Sequence, residues 1–386
     1  MALHFTTEEF ARRRQALEAA MKARKLDCLI LFAQESHYWL TGFDSFGYCF
    51  FQCMVIRPDE EPTLLVRSTD LRQAQHTSTL KDIRLWIDRG GKSPVSQLKD
   101  LLYEFNMLGS RIGIEYNTHG LTAANGREVD ELLKSFADLE DASDVVAELR
   151  LIKSPEELVY VREAAKLADK AFEAGLEKAV PGANEGAILS AMQSAVFDGG
   201  GDYPANDFII GSGRDALLCR YKSGRRNLSH NDQLTLEFAG VYRHYHAALM
   251  RTVIIGRPRP RHIELHRIAL AALNAVEEVM QVGNTFGDLF SAHANIMDSH
   301  DLLPHRLNAC GYSLGARFSP SWMDAPYMAY KDNPHKIEEN MVLFMHMIIM
   351  DSDSETAMTL GQSYITGANG PESLSKLSLD LPIKSG

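Results

Sequence analysis

The sequence predicts a long amphipathic helix near the middle of the chain, with a complete N-terminal capping motif. This helix separates two regions with different patterns of elements. Ser154, Pro155 and Glu157 fill the N-cap, N1 and N3 positions of a capping box, where proline loses no hydrogen bond. Apolar residues then recur in steps of three and four on one face of the helix, which ends near Gly182: Leu158, Val161, Ala165, Ala168, Phe172 and Leu176. Because 386 residues exceed one ordinary core, we expect two domains.

The residues before this helix alternate between helical and strand-like stretches. Helical patterns cover 7–25, 68–76 and 94–105, and strand-like runs cover 28–32, 49–56, 63–66 and 111–115. Helices between strands predict an α/β domain, here over residues 1–145. The acidic, polar stretch 137–145 is interpreted as the linker that ends this domain.

The residues that follow the long helix have a different order of elements. Two more helices are predicted over 184–198 and 261–281, and strand-like runs read FIIG, QLTLEFAG, ALMRTVIIG and MVLFMHMII. Helices followed by clustered strands predict an α+β domain, here over residues 146–386. The C-terminal residues 372–386 are polar, and we expect them to fray.

The acidic balance of the chain excludes several classes of partner. Its formal net charge is −11, whereas binding to nucleic acid or to anionic membranes needs a basic surface. No apolar run reaches the roughly 18 residues that a membrane-spanning helix needs, and the N-terminus has no apolar signal core. The five cysteines include no CxxC pair, which is typical of reduced thiols rather than a disulfide framework. These features predict a cytoplasmic protein.

Five segments in order resemble the creatinase/aminopeptidase P family, whose catalytic domain has the pita-bread fold. They are LRLIKSPEEL at the domain junction, NDQLTLEFAGVYRHYHAALMRTVIIG with its pair Arg251 and Thr252, GYSLGARF, NMVLFMHMII, and the strand that leads to GANGPESLS. Together the segments extend over nearly the whole chain at family-like separations. The resemblance implies a creatinase-like N-terminal domain followed by a pita-bread catalytic domain.

The same resemblance implies that the family's metal site has been lost. Members of the family bind two metal ions through two aspartates, one histidine and two glutamates. The corresponding residues of this chain are Glu237, Ala248, Tyr312, His346 and Gly361. Alanine and glycine offer no ligand and tyrosine is rarely one, so Glu237 and His346 fall short of the three protein ligands usual for catalytic zinc. We therefore expect no metal and no other cofactor, which argues against a metal-dependent Xaa-Pro peptidase.

Glu237 is the strongest candidate for catalysis. A carboxylate within the buried strand LTLEFAG is costly unless it has a partner or a chemical purpose. Carboxylates in dry pockets serve as nucleophiles or bases. The alternative is a structural carboxylate paired with Arg220 or Arg251.

Three histidines are candidates for proton transfer. His244 and His246 lie two apart in YRHYH, which on a strand places both on the same side. Ordinary solvated side chains at a hairpin tip are the alternative for this pair. His346 lies in FMHMII at a lost ligand position, so we expect it to face the pocket as an acid, base or substrate ligand. A hydrogen-bonded core histidine is the alternative there.

Substrate-binding residues are predicted from charge and from the resemblance. Arg220 and Arg317 can each hold a carboxylate through two hydrogen bonds, and the Tyr312 hydroxyl can donate to a polar substrate. Tyr48 and Phe50 lie in a segment similar to the part of creatinase that reaches into the neighbouring subunit's site. The resemblance therefore implies a homodimer with shared active sites.

The chain does not keep creatinase's own catalytic set. The corresponding positions hold Arg220, Met250 and His346, and Phe50 replaces the arginine that clamps creatine. A pair of divalent ions would repel a cationic substrate, so their loss favours a zwitterion with an amidinium group. We expect metal-free hydrolysis of a cyclic amidine that carries a carboxylate, with Glu237 as nucleophile or base and a deacetylase acting on the acetylated product. A creatinase-type hydrolase of another zwitterion, an inactive scaffold and a non-catalytic binding module are the alternatives.

Overall fold

The protein was analysed as a computed structural model that describes residues 3–220 and 225–385. The chain divides into two compact units, Met1–Arg150 and Leu151–Gly386, so the division falls five residues after the predicted one. In the described ranges, no helix combines the length and the apolar character needed to cross a membrane.

The first unit is an α/β domain, as the sequence predicts. Its strands are β1 (Cys28–Leu31), β2 (Cys53–Ile56), β3 (Thr63–Val66), β4 (Asp82–Leu85), β5 (Arg111–Ile114) and β6 (Asp138–Asp141). Its helices are α1 (Thr7–Arg24), α2 (Gln34–Thr41), α3 (Leu71–Thr77), α4 (Pro94–Glu104), α5 (Ala123–Leu133) and α6 (Ser143–Leu151). The described strands form one mixed sheet in the order β4-β3-β2-β1-β5-β6.

Strand β1 is buried on both faces, as expected for the centre of a sheet covered on both sides. Cys28 and Ile30 enter one core, and Leu29 and Leu31 enter the other. The stretch 137–145 is not a linker, because β6 pairs in parallel with β5 and α6 begins directly after it. Its polar character reflects the position of β6 at the sheet edge, where side chains meet solvent.

The second unit is the predicted α+β domain. Its helices are α7 (Pro155–Lys178), α8 (Glu185–Asp198), α9 (Pro260–Val279) and α10 (Phe286–Asp298). Its strands are β7 (Ile209–Ser212), β8 (Asp232–Tyr242), β9 (Tyr245–Ile255), β10 (Ala309–Leu314), β11 (Met323–Tyr330), β12 (Val342–Asp351), β13 (Thr356–Ile365), β14 (Glu372–Ser373) and β15 (Ile383–Lys384). The described strands follow the order β11-β10-β12-β13-β9-β8-β7, with β14 on β13 and β15 on β9.

Helix α7 covers one face of this sheet and leaves the other for the site. The capping box is formed as predicted: Glu157 N donates to Ser154 Oγ at 3.3 Å, and Ser154 N donates to Glu157 Oε2 at 2.9 Å. Gly240 on β8 lets the helix approach closely, since a Cβ there would lie 1.9 Å from a backbone oxygen of α7. Phe238 stacks on Phe172 of α7, so the even-numbered residues of β8 face the helix and the odd-numbered ones face away.

The prediction that the C-terminal residues fray is wrong. Ile383 and Lys384 form β15, which pairs in parallel with β9. Leu379 and Leu381 pack against the core formed with α9 and α10. Leu374 is buried as well, and these apolar contacts together with the pairing of β15 hold the segment in place.

Candidate active site

The register of the sheet places the lost metal-ligand positions on its helix-free face. Glu237 on β8 lies opposite Met250 on β9, Met250 lies opposite Gly361 on β13, and Gly361 lies opposite His346 on β12. Directly paired residues of antiparallel strands share a face of the sheet. Ala248 is two residues before Met250 and therefore lies on the same face.

Strand β10 completes this face with an aromatic residue. Tyr312 lies opposite Phe344, which precedes His346 by two residues on the same face of β12. The rings of the three residues form a cluster, with ring centroids 5.4 to 5.6 Å apart. All five lost ligand positions are thus brought onto one surface: Glu237, Ala248, Tyr312, His346 and Gly361.

A chain of hydrogen bonds ends on the carboxylate of Glu237. The indole Nε1 of Trp322 donates to the Tyr312 hydroxyl at 2.8 Å, and that hydroxyl donates to Glu237 Oε1 at 3.4 Å. All three side chains are buried. Burial raises the pKa of Glu237 to about 7, whereas the Tyr312 hydrogen bond and the charge of Arg220 act to lower it. Burial, and then the charge of Glu237, raise the pKa of Tyr312 well above its ordinary value, so its hydroxyl keeps its proton.

Glu237 is not the structural ion-pair carboxylate that the sequence left open. Arg251 lies on the α7 side of the sheet, where it donates to the carbonyl oxygens of Met250 and Gly361. Arg220 is exposed, but its charge reaches Glu237 and lowers the pKa of that carboxyl. Across residues 3–220 and 225–385, neither arginine forms an ion pair with Glu237 within 4.0 Å.

His346 is a buried histidine whose hydrogen bonding is incomplete. Its ring is 5.6 Å from that of Tyr312, and its side chain is only 6% exposed. Burial lowers the pKa of His346 to about 4, so the imidazole is neutral at pH 7. Its Nδ1 has no hydrogen-bond partner in the described part of the chain. This differs from a satisfied core histidine and leaves a polar atom for a ligand.

His244 and His246 do not share a side of a strand. His244 lies in the turn between β8 and β9 with φ of 64°, and its ring stacks on Phe318 at 4.2 Å. His246 is fully buried on β9, where its Nε2 accepts a hydrogen bond from Ala205 N at 3.0 Å. Burial lowers the pKa of His246 to about 3. The strand alternation fails here because the chain reverses at His244 and the turn breaks the period of two.

The remaining predicted binding residues have other surroundings. Arg317 Nε donates to the Ser321 oxygen at 3.3 Å, and its Nη1 lies 3.8 Å from Asp324 Oδ1. Tyr48 and Phe50 belong to the first unit, in and just after a short 3₁₀ turn. Phe50 is 52% exposed. The binding roles of Tyr48 and Phe50 stay predictions.

Two contributing residues escaped sequence reasoning. Trp322 passes for a core aromatic, although a buried indole N–H needs an acceptor and so points to a polar neighbour. Phe344 is two residues before His346, and the alternation of a strand would have placed it on the same face. Its ring fills the space beside Gly361: a Cβ on Gly361 would lie 2.8 Å from Phe344 Cζ and 2.9 Å from Met250 Cβ.

The residues at the five ligand positions do not fit the pair of metal ions that the family resemblance implies. Ala248 and Gly361 have no ligand atoms, and the room for a longer side chain at Gly361 is taken by Phe344. Elsewhere, among the described residues, His305, Asp351 and Asp353 come close enough to share an ion. Asp351 and Asp353 lie at the β12–β13 turn, whereas His305 comes from the segment before β10, and Arg261 already pairs with Asp351 at 2.7 Å. The face that carries Glu237 therefore offers too few side-chain ligands for a metal pair.

The sequence and fold define the class of protein. The metallopeptidase family M24 matches residues 159–367, and the creatinase/prolidase N-terminal domain matches residues 13–152. The chain therefore belongs to metallopeptidase family M24, and it has the creatinase-like N-terminal domain and the pita-bread catalytic domain expected from the sequence.

Three relatives illustrate the range of this family. Ectoine hydrolase of Halomonas elongata is 28% identical over 342 residues, which cover 83% of this chain and 84% of that protein. An uncharacterised hydrolase/peptidase of Sinorhizobium fredii is 25% identical over 99% of both chains. The structure of an Xaa-Pro dipeptidase from Bacillus anthracis covers 97% of this chain and 99% of its own, with a TM-score of 0.83 and 19% identity. The last similarity shows the fold alone; together the relatives support a hydrolase.

Proposed function

We propose that this protein is a metal-independent hydrolase that opens the cyclic amidine ectoine to N-acetyl-2,4-diaminobutyrate. The observation that carries the proposal is Glu237, a buried carboxylate with a raised pKa and, within the described residues, a single hydrogen-bond partner. The similarity to ectoine hydrolase of Halomonas elongata over most of both chains supports the substrate.

Within the described residues, Glu237 has no cation in direct contact, and the amidinium of the substrate would supply one. A buried carboxylate without an ion pair is destabilised by the loss of hydration, and a bound cation removes that cost. A ring N–H of the amidinium can donate a charge-assisted hydrogen bond to a carboxylate oxygen. The positive charge of the substrate would also lower the pKa of Glu237 and leave it ionised in the complex.

The carboxylate of ectoine requires a cation at the other end of the site. Arg317 is engaged with Ser321 and Asp324, whereas Arg220 is exposed and close enough to influence Glu237. Arg220 is therefore the proposed carboxylate clamp. Tyr48 and Phe50 of a neighbouring subunit complete the site in the proposed homodimer, and the resemblance of their segment to creatinase supports this part.

The proposed reaction begins with attack of a Glu237 oxygen on the amidine carbon. The departing nitrogen takes a proton from water, which the Tyr312 hydroxyl and the neutral His346 ring can relay, and the ring C–N bond breaks to leave an imidate ester on Glu237. Water then hydrolyses the bond between Glu237 and the acetyl carbon, which releases the product and restores the carboxylate. In the alternative route, Glu237 acts as a base and activates the water that attacks the amidine carbon directly.

Incubation of the purified protein with ectoine and with creatine, with and without a chelator, tests the proposal. We expect N-acetyl-2,4-diaminobutyrate from ectoine, detected by mass spectrometry, with no effect of the chelator. A deacetylase would then consume this product. Turnover of creatine instead would indicate a creatinase-type enzyme. Calorimetric binding of ectoine without any turnover would indicate a binding module and refute the catalytic proposal.

Labelled water distinguishes the two routes. In the covalent route, quenching should trap an adduct on the peptide that contains Glu237, and oxygen-18 enters its carboxylate over repeated turnovers when water attacks the glutamyl carbon of that adduct. A base mechanism leaves that peptide unlabelled and unmodified, with the label in the product alone.

A further inference from the structure

We propose that His246 is a positioning residue: it fixes residues 202–206 beside the loop that carries Trp322 and thereby directs the Tyr312 hydroxyl at Glu237. The consequence for turnover rests on the function proposed above. The contacts that carry the inference belong to the structure alone, and none of them is visible in the spacing of the sequence.

The first contacts join His246 to two backbone segments. Ala205 N donates to His246 Nε2 at 3.0 Å, which identifies Nε2 as the unprotonated nitrogen of a neutral ring. The protonated Nδ1 then faces Gly315 O at 3.4 Å, and the backbone N of His246 donates to the same oxygen at 3.2 Å. His246 is fully buried, so these contacts exclude water. Both ring nitrogens are thus committed to backbone groups, which leaves neither for proton transfer to a substrate.

The next contacts lead from the fixed segment to the carboxylate. Asn206, next to Ala205, accepts a hydrogen bond on its side-chain oxygen from Trp322 N at 2.9 Å. The indole Nε1 of Trp322 donates to the Tyr312 hydroxyl at 2.8 Å. Because the Tyr312 hydroxyl oxygen accepts from the indole, its hydrogen is directed to Glu237 Oε1 at 3.4 Å.

The predicted effect of losing His246 follows from the last of these bonds. The Tyr312 hydrogen bond stabilises the ionised form of Glu237 and lowers its pKa against the effect of burial. If the segment around Ala205 moves, this bond lengthens and the pKa of Glu237 rises. Among the described residues, the titratable groups facing Glu237 are Cys219, Arg220 and Tyr312. Those facing His246 are His244 and Arg317.

The experiment compares His246→Leu with His246→Gln. Leucine removes the acceptor, whereas the side-chain oxygen of glutamine can accept from Ala205 N in place of Nε2. With ectoine as substrate, we expect His246→Leu to move the acid limb of the kcat/KM profile upward by about half a pH unit or more and to lower kcat about tenfold. His246→Gln should recover most of both changes. In the His246→Leu background, Tyr312→Phe should cause little further change in the acid limb or in kcat, because both residues act through the hydrogen bond from Tyr312 to Glu237.

A control distinguishes positioning from a general loss of stability. His262 on α9 is also buried and hydrogen-bonded, to Gln233 Oε1 at 3.0 Å, but lies outside the chain of contacts. His262→Leu should lower the unfolding temperature without moving the acid limb. The proposal would be overturned if His246→Leu left the acid limb of the kcat/KM profile unmoved. It would also be overturned if His246→Gln recovered no more of the kcat/KM profile and of kcat than His246→Leu keeps.

A second measurement works without any substrate. The stability difference between Glu237→Gln and its parent changes with pH around the pKa of Glu237. Urea unfolding at a series of pH values gives the pH at which half of this change in stability has occurred. This midpoint pH should be higher in the His246→Leu background than in the wild-type background. A shifted midpoint with no ectoine turnover would uphold the positioning role and refute the proposed function. An identical midpoint in both backgrounds would refute the positioning role.

Discussion

Replacing Glu237 with glutamine should abolish turnover and at the same time stabilise the folded protein at alkaline pH. Burial raises the pKa of Glu237 from its ordinary 4.5 to about 7, so the folded state binds the proton more tightly than the unfolded state. The stability due to the protonated carboxyl is complete below pH 4.5 and is lost as the pH rises through 7. The pKa difference corresponds to about 3 kcal/mol, most of which disappears between about pH 5 and pH 8.

Glutamine resembles the protonated carboxyl in size and has no charge to desolvate, so the variant avoids this loss. Urea unfolding should show that Glu237→Gln gains about 2–3 kcal/mol relative to wild type between about pH 5 and pH 8. Turnover of ectoine should fall by several orders of magnitude, since an amide is neither nucleophile nor base. A gain that does not depend on pH, or a variant with near-normal turnover, would refute the reasoning.

Glu157 provides the matched control, because it is also a buried glutamate of the second unit. Both of its oxygens accept hydrogen bonds, one from Ser154 N at 2.9 Å and one from the Tyr245 hydroxyl at 2.7 Å. Glutamine has only one acceptor oxygen, so Glu157→Gln leaves one donor without a partner. We expect this variant to lose about 1–2 kcal/mol at pH 8, the opposite sign to Glu237→Gln.

The same site gives four shorter predictions. kcat/KM should rise with pH through about 7, because Glu237 must be ionised; a flat profile between about pH 5 and pH 8 would contradict this. Gly361→Ala should lower the free energy of unfolding by about 1–3 kcal/mol and reduce turnover, because its Cβ would meet Phe344 Cζ at 2.8 Å. Adding Phe344→Leu should recover part of that stability in the same unfolding assay. EDTA should leave turnover unchanged, and two metals per chain by elemental analysis would refute metal independence. Light scattering at micromolar concentration should give the mass of a homodimer; a monomer would contradict the shared site.

Much of the fold could be predicted because local signals and long-range packing agree. The capping box at Ser154 specified the start of α7, and the TLLV run gave β3 its limits at Thr63 and Val66. Helix α2 was missed because every residue of Gln34–Thr41 is buried, which removes the alternation between apolar and polar faces. Strand β6 was missed for the opposite reason, since a polar strand at a sheet edge has the composition of a linker.

The candidate site was harder to predict than the fold because its contacts are long-range. The register of five strands brings Glu237 and Tyr312 together across 75 residues of sequence. The partner of His246 is a backbone N–H 41 residues earlier, so sequence could not separate a committed imidazole from an available one. The position of the Phe344 ring could not be predicted for the same reason. The ring occupies space that is open only because Gly361, on the adjacent strand, has no side chain.

The charges at the site give a physical reason why one carboxylate remains on this face. Two aspartates and two glutamates, as in the family's ligand set, carry four negative charges that two divalent cations balance. Here Ala248, Tyr312, His346 and Gly361 are neutral, and burial lowers the pKa of His346 to about 4 so that it stays neutral at pH 7. Among these five positions only Glu237 can carry a negative charge, and a single amidinium would neutralise it. A dication would leave an excess positive charge near Arg220, and an uncharged ligand would leave Glu237 either protonated or with only the charge of the exposed Arg220 to balance it. The charge balance therefore favours a monocationic substrate centre over either alternative, independently of any relative's activity.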